Sequence, residues 1–232
     1  MDFQKFDKIP RLSRDIVITE KIDGTNAQIC IMSYESLFNH YQLGDMADKT
    51  ALDWVYGEIN NFIDKYCLSN LEEQKKKGLY ENMKDQLFIF SGSRKKWLDV
   101  SSKGDNFGFA KWVVENAEEL IKLGEGRHFG EYYGKGIQRN YGLDEKRFAL
   151  FNVGKWEDSD VRPKCCGVVP VLYRGEFNTI DINAVLADLK MDGSSIAEGF
   201  MNPEGIIIYH TASGQLFKKT IHNDEKPKEL VK

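Results

Sequence analysis

Ile18-Thr19-Glu20-Lys21-Ile22-Asp23-Gly24-Thr25-Asn26 is the stretch on which the reading of this chain turns. The apolar run Ile16-Val17-Ile18 leads into it as a strand, and a second run, Ala27 to Met32, leads away. Between them a glutamate, a lysine, an aspartate and a glycine follow in close order. A lysine at the mouth of a strand becomes a nucleophile when desolvation or neighbouring cations disfavour its charged form. Asp23-Gly24 suits a tight turn in which Gly24 takes positive φ. Taken alone, the stretch also fits a plain hairpin with a solvated lysine, so the rest of the chain has to decide.

Bulk properties narrow the field. At 232 residues the chain suits one large domain or two small ones, and 41% hydrophobic and 12% aromatic residues supply a sizeable core. A net charge of −4 does not mark a nucleic-acid binder, so any such surface has to be a local patch. No apolar run is long enough to span a bilayer, and Met1-Asp2-Phe3-Gln4-Lys5 lacks the apolar core of a signal peptide, so a cytoplasmic protein is expected. Cys30, Cys67, Cys165 and Cys166 contain no Cys-x-x-Cys pair, and His40, His128, His210 and His222 show no metal-ligand spacing. Free thiols in a reducing compartment are expected.

Along the chain, residues 33–47 read as a loop. Leu52, Val55, Tyr56, Ile59, Phe62, Ile63 and Tyr66 predict a helix over 49–66 with Asp48 as its cap. Residues 69–86, with Lys75-Lys76-Lys77, read as a solvated charged segment. Leu87–Phe90 is a buried strand ending at Ser93-Arg94-Lys95-Lys96-Trp97, and a helix is expected over 107–123 with Gly124 as its stop. Strands are expected at 128–134, 147–153 and 168–173, the last with Pro170 at an edge, and a short helix at 182–191. Ile206–Tyr209 and Leu216–Ile221 flank Ala212-Ser213-Gly214 as a hairpin. Strands and helices lack regular βαβ alternation, which predicts an α+β fold of largely antiparallel sheets with flanking helices. No Pro/Gly/Ser linker divides the chain, so a single domain over 1–232 is expected.

Charged residues sit at strand ends. Glu20, Lys21 and Asp23 follow the first strand, Arg94 the next, and Glu131 the Phe129 strand. Glu204-Gly205 opens the Ile206 strand, and Lys218-Lys219 lie in the last. Each alone has a bland reading as a turn or strand-end charge. As a set they match a nucleotide's needs. Lys21, Arg94, Lys218 and Lys219 are cations for phosphates. Glu131, Glu204 and Asp23 are carboxylates for ribose hydroxyls and a metal ion, and Phe151 or Phe148 offers a face for the base. Neither a P-loop nor a Rossmann glycine motif is present.

With these residues in view the chain resembles the ATP-dependent RNA ligases, within the covalent lysine nucleotidyltransferase superfamily that includes DNA ligases and capping enzymes. Glu20-Lys21-Ile22-Asp23-Gly24 matches the Lys-x-Asp-Gly signature, and Ser93-Arg94 resembles the arginine element. Phe129-Gly130-Glu131-Tyr132-Tyr133-Gly134 and Phe148-Ala149-Leu150-Phe151-Asn152-Val153 resemble the next two motifs. Glu204-Gly205-Ile206-Ile207-Ile208 and Phe217-Lys218-Lys219 resemble the last two. The matches run in the family's order from residue 20 to 219.

The resemblance implies a nucleotidyltransferase (ATP-grasp-like ligase) fold and a ligase that seals RNA through a covalent lysyl–AMP. Lys21 would be the nucleophile, with Lys218 and Lys219 assisting. Glu20 would help read the adenine edge, Asp23 and Gly24 would shape the nucleotide site, and Arg94 would contact ribose or phosphate. Glu131 would accept ribose hydroxyls, Phe151 would stack on adenine, and Glu204 would hold Mg²⁺ or Mn²⁺. The partners implied are ATP and RNA with 5′-phosphate and 3′-hydroxyl ends, acted on by a monomer. A DNA or hybrid ligase, a GTP-using capping-type enzyme and a non-ligating RNA-binding module are the alternatives.

Two departures stand out. The family's last motif usually reads Lys-x-Lys, whereas here Lys218 and Lys219 are adjacent and point to opposite faces of a strand. Lys218 is the one expected to face the nucleotide. Asn152 stands where an acidic residue often follows the stacking aromatic. Glu198-Gly199 is a decoy for Glu204-Gly205, because no clean strand follows it. Only 13 residues follow Lys219 in this sequence, so no oligonucleotide-binding-fold domain is expected after it.

Overall fold

The computed structural model describes residues 4–41, 49–67, 87–101, 103–222 and 224. Within the span expected as one domain, the chain divides into two compact units. The first comprises residues 1–23, 141–143 and 169–232, and the second residues 24–140 and 144–168.

The first unit is built on a four-stranded antiparallel sheet of order β10-β9-β1-β8. Its strands are β1 (Asp15–Lys21), β8 (Val171–Glu176), β9 (Gly205–His210) and β10 (Gln215–Thr220). The expected 206–221 hairpin is present as β9 and β10. One helix of this unit, α6 (Thr179–Asp192), starts at Asn178, whose side chain accepts the Ile180 N–H. Ile16 and Ile18 of β1 share a cluster with Ile206 and Ile208 of β9 and with Ile182 and Leu189 of α6. Full burial of such side chains stabilises by about 1.5–3 kcal/mol each. A one-residue slip of β1 would turn both isoleucines out, so this cluster fixes the register and with it the direction of Lys21.

The second unit holds a six-stranded sheet of order β4-β3-β2-β5-β6-β7. These strands are β2 (Thr25–Ser33), β3 (Leu87–Ser93), β4 (Trp97–Leu98), β5 (Gly126–Gly134), β6 (Lys146–Leu150) and β7 (Cys166–Val168). Only the β6–β7 pairing is parallel among the described strands. One face, carrying Ala27, Ile29, Tyr132, Phe148 and Leu150, packs on Phe109 and Val113 of α3 (Phe109–Glu115). The other face is covered at one end by α1 (Tyr34–Tyr41) and α2 (Lys49–Tyr66), through Leu37, Ile59 and Ile63 against Phe88 and Phe90.

Several expectations change here. The apolar runs flanking the opening motif do not form a hairpin: β1 pairs with β8 and β9, and β2 with β3 and β5, in different sheets. Residues 34–41 are helical rather than loop, started by Ser33, whose hydroxyl accepts the Ser36 N–H. The helix expected over 107–123 is interrupted at Asn116. Its side-chain amide donates to the Trp112 carbonyl, and a four-residue α4 (Ala117–Leu120) and a 3₁₀ turn (Ile121–Leu123) follow. The strand expected over 168–173 is two, β7 and β8, separated at Val169-Pro170 because each joins a different sheet. Asp48 and residues 69–86 lie outside the described residues. Among the described residues no helix is long and apolar enough to cross a membrane.

Candidate active site

The chemistry of the first unit collects at the end of β1. Lys21 lies opposite Gly205 on β9, and Lys218 of β10 lies opposite Ile207. Residues 205 and 207 share a face, so Lys21 and Lys218 share it too. Lys219 lies opposite Ile206, on the face that packs on α6. The adjacent lysines of this chain are therefore separated by the pleat, with Lys218 on the side of Lys21.

Glu204 supplies the nearest charge. Its Oε2 lies 2.5 Å from Lys21 Nζ, and the two side chains keep 13% and 20% of their surface exposed. The pair is neither dry nor fully solvated, so its partners can be exchanged. Gly205 allows this approach. A Cβ there would fall 2.2 Å from the Lys219 carbonyl oxygen, so only glycine lets β9 start alongside β10. The decoy residue Glu198 is exposed in the loop before β9.

Glu20 faces the other way. It is 1% exposed, and its carboxylate accepts from the Ser194 hydroxyl at 2.6 Å and from the Ser195 and Ile196 N–H groups at 2.8 and 3.1 Å. Burial pushes its carboxyl above the usual glutamate range, against the opposing pull of these three bonds. This is the side chain expected to help read the adenine edge; alternation along β1 turns it away from Lys21, and it braces the 194–196 loop.

Asp23 ends this unit's site. Its backbone N–H donates to the Tyr141 hydroxyl at 2.7 Å. Tyr141 is buried, adopts φ 53° and tilts against Phe200 with ring centroids 4.7 Å apart. Burial, with Glu20, Asp23 and Glu204 nearby, holds its hydroxyl well above the ordinary tyrosine range, so it stays protonated. Sequence reading missed Tyr141. Asn140-Tyr141-Gly142 reads as a turn, but nothing local shows what the hydroxyl reaches.

In the second unit Gly24 opens β2. The expected positive φ is absent, since Gly24 is not among the residues in that region. Glycine is required instead by close approach: a Cβ would lie 2.4 Å from the Tyr132 carbonyl oxygen of β5. Its N–H donates to Glu131 Oε1 at 3.1 Å. Glu131 lies opposite Ala149 of β6, and Phe151, two residues further, belongs to the same face and is 39% exposed. Phe148, the other aromatic considered for the base, is fully buried on the opposite face. Asn152 caps α5 (Val153–Trp156) by accepting the Lys155 N–H. Arg94 is exposed in the turn between β3 and β4, held by Ser93, whose hydroxyl accepts the Lys96 N–H.

A family model described as RNA ligase matches residues 14–220. The chain belongs to the RNA ligase family. Its fold is similar to that of Naegleria gruberi RNA ligase. One solved variant with ATP and Mn has a TM-score of 0.51 and 16% identity, covering 91% of this chain and 51% of that one. Another variant, with AMP and Mn, has a TM-score of 0.50 and 16% identity, covering 90% and 50%. At this identity the likeness is one of fold, and this RNA ligase family member spans about half the length of those ligases. Comparison with curated proteins finds no match.

Proposed function

We propose that the chain is an ATP-dependent RNA ligase that works through a lysyl–AMP on Lys21. The observation that carries this reading is the placement of Lys21 on the open face of β1, with Glu204 at 2.5 Å and Lys218 on the same face. Lys21 Nζ loses a proton to solvent and with it the ion pair to Glu204, attacks the α-phosphate of ATP and forms a P–N bond as the bond to pyrophosphate breaks and pyrophosphate leaves. Lys218 stabilises the charge that develops on the phosphates. AMP then passes to an RNA 5′-phosphate, and a 3′-hydroxyl displaces it to form the phosphodiester.

A divalent cation fits this set. Among the described residues no three His, Cys, Asp or Glu side chains come together as a ready-made site. Glu204 offers one hard carboxylate oxygen, and phosphate and water would complete the shell, the arrangement Mg²⁺ favours. Glu204 would hold Mg²⁺ or Mn²⁺, which when bound neutralises phosphate charge. In the second unit, Phe151 stacks on adenine, Glu131 accepts ribose hydroxyls and Arg94 contacts ribose or phosphate.

The test offers nicked RNA, single-stranded RNA ends and nicked DNA, each with a labelled 5′-phosphate, together with ATP and Mg²⁺. Sealing of RNA substrates is expected. Sealing of DNA alone, or sealing when GTP but not ATP is supplied, contradicts the proposal. Binding without any sealing leaves a non-ligating RNA module.

A further inference from the structure

A row of side chains crosses the second unit's sheet that the proposed chemistry does not use in full. Gln28 of β2 lies opposite Phe129 of β5 and opposite Gly92 of β3, and Gly92 lies opposite Trp97 of β4. The Phe151 N–H donates to the Phe129 carbonyl at 2.9 Å, which continues the row past β6. Phe151, Phe129, Gln28, Gly92 and Trp97 thus occupy neighbouring positions on one face. Phe129 is 47% exposed.

The other end of the row is built as carefully. Trp97 packs edge-on against Phe62 and Phe90, with centroids at 5.6 and 6.0 Å. The guanidinium of Arg127 lies 5.3 Å from its ring centroid, and Arg127 Nη1 donates to Gln28 Oε1 at 3.4 Å. Arg127 is otherwise exposed. Its plane is therefore held over the row rather than swinging in water. Gly92 keeps the middle flat, since a Cβ there would come within 2.9 Å of the Gln28 side chain. Exposed Arg94, Lys95 and Lys96 crown the adjoining β3–β4 turn.

We propose that this face is a platform for single-stranded RNA. One base stacks on Phe129 and another on the Arg127 plane; Gln28, whose Nε2 donates one hydrogen to the Ser93 carbonyl at 3.3 Å, offers the other to a base edge between them, and Lys95 and Lys96 of the adjoining turn take backbone phosphates. Glu131, on the same face two residues beyond Phe129, repels phosphate and directs the backbone away from β5 toward that turn. A duplex hides its base faces and cannot use the row. The choice of ligand rests on the RNA-joining reading above.

The experiment measures fluorescence anisotropy of a labelled single-stranded RNA of about 10 nucleotides, within the usual span of stacking platforms, titrated with the full chain. Phe129→Ala is expected to weaken binding about 5- to 100-fold, the worth of one stacked base. Phe129→Tyr keeps a ring and is expected to bind as the parent chain does, which separates stacking from folding. Arg127→Lys keeps the charge but loses the plane, and is expected to weaken binding as Arg127→Ala does. Parent-like binding by Phe129→Ala, equal loss in Phe129→Tyr, parent-like binding by Arg127→Lys, or equal competition by a blunt RNA duplex would each overturn the proposal. Labelling of Phe129→Ala by α-labelled ATP is expected to be unchanged. A chain that binds RNA in the expected pattern but takes no label keeps the platform and loses the ligase reading; the reverse result removes the platform alone.

Discussion

The two sheets use their open faces in contrasting ways. On the four-stranded sheet the open face near the end of β1 carries ions in register, Lys21 beside Glu204 and Lys218 on the next strand but one. On the six-stranded sheet it carries aromatic rings and an amide, Phe151, Phe129 and Gln28, with Glu131 tied to a backbone N–H. Charges that change partners during a reaction need some access to water, and the Lys21–Glu204 pair is partly exposed. Flat rings select a partner by shape and need no exchange of partner. On the proposed reading the ionic face makes bonds and the aromatic face recognises, so changes on each should fail in different ways.

The largest break is expected at Lys21. Lys21→Ala should abolish both labelling by α-labelled ATP and RNA sealing, leaving thermal unfolding close to that of the parent. Next, Lys218→Ala should slow labelling about 10²–10³-fold, the scale for loss of one charge-stabilising group. Lys219→Ala should cost less than about 10-fold, because its side chain belongs to the other face. Equal losses in single-turnover rates would contradict the pleat. On the second sheet, Phe151→Ala should raise the KM for ATP about 5- to 100-fold while changing kcat less, the reverse of the Lys218 pattern.

Smaller effects test the scaffold. Gly24→Ala should destabilise by about 1–3 kcal/mol in a denaturant titration, since a methyl there meets the Tyr132 carbonyl. The smallest effect concerns Glu20. Its raised carboxyl means that the folded state holds a proton more tightly than the unfolded chain does. That contribution is complete below the unfolded glutamate value of about 4.3 and is lost as pH rises through the folded value. Glu20→Gln keeps one oxygen for the backbone N–H groups and should flatten the fall in melting temperature across that window. An unchanged pH profile would show that Glu20 is ionised without penalty.

Strand positions were legible because β-branched and aromatic runs announce buried strands, and the 49–66 helix because its apolar residues recur at helical spacing. The pairing was not legible. Val17 pairs with Tyr209 and Arg174, and no local pattern names partners so distant. The 34–41 helix was hidden by its polar residues, although Ser33 before it is an ordinary cap. For the site, the charged residues could be read as a set, and strand alternation alone separated Lys218 from Lys219. Alternation also sets Glu20 on the face opposite Lys21, but what Glu20 reaches, the Ser194–Ile196 loop, and the reason for Gly24, β5, are contacts made only by the folded chain.

The most direct measurement incubates the chain with ATP and Mg²⁺, denatures it, digests it and maps the site of any AMP adduct by mass spectrometry. AMP on the peptide bearing Lys21, labile to acid and absent from Lys21→Ala, is the expected result. No adduct, or one that persists in Lys21→Ala, would contradict Lys21 as the nucleophile.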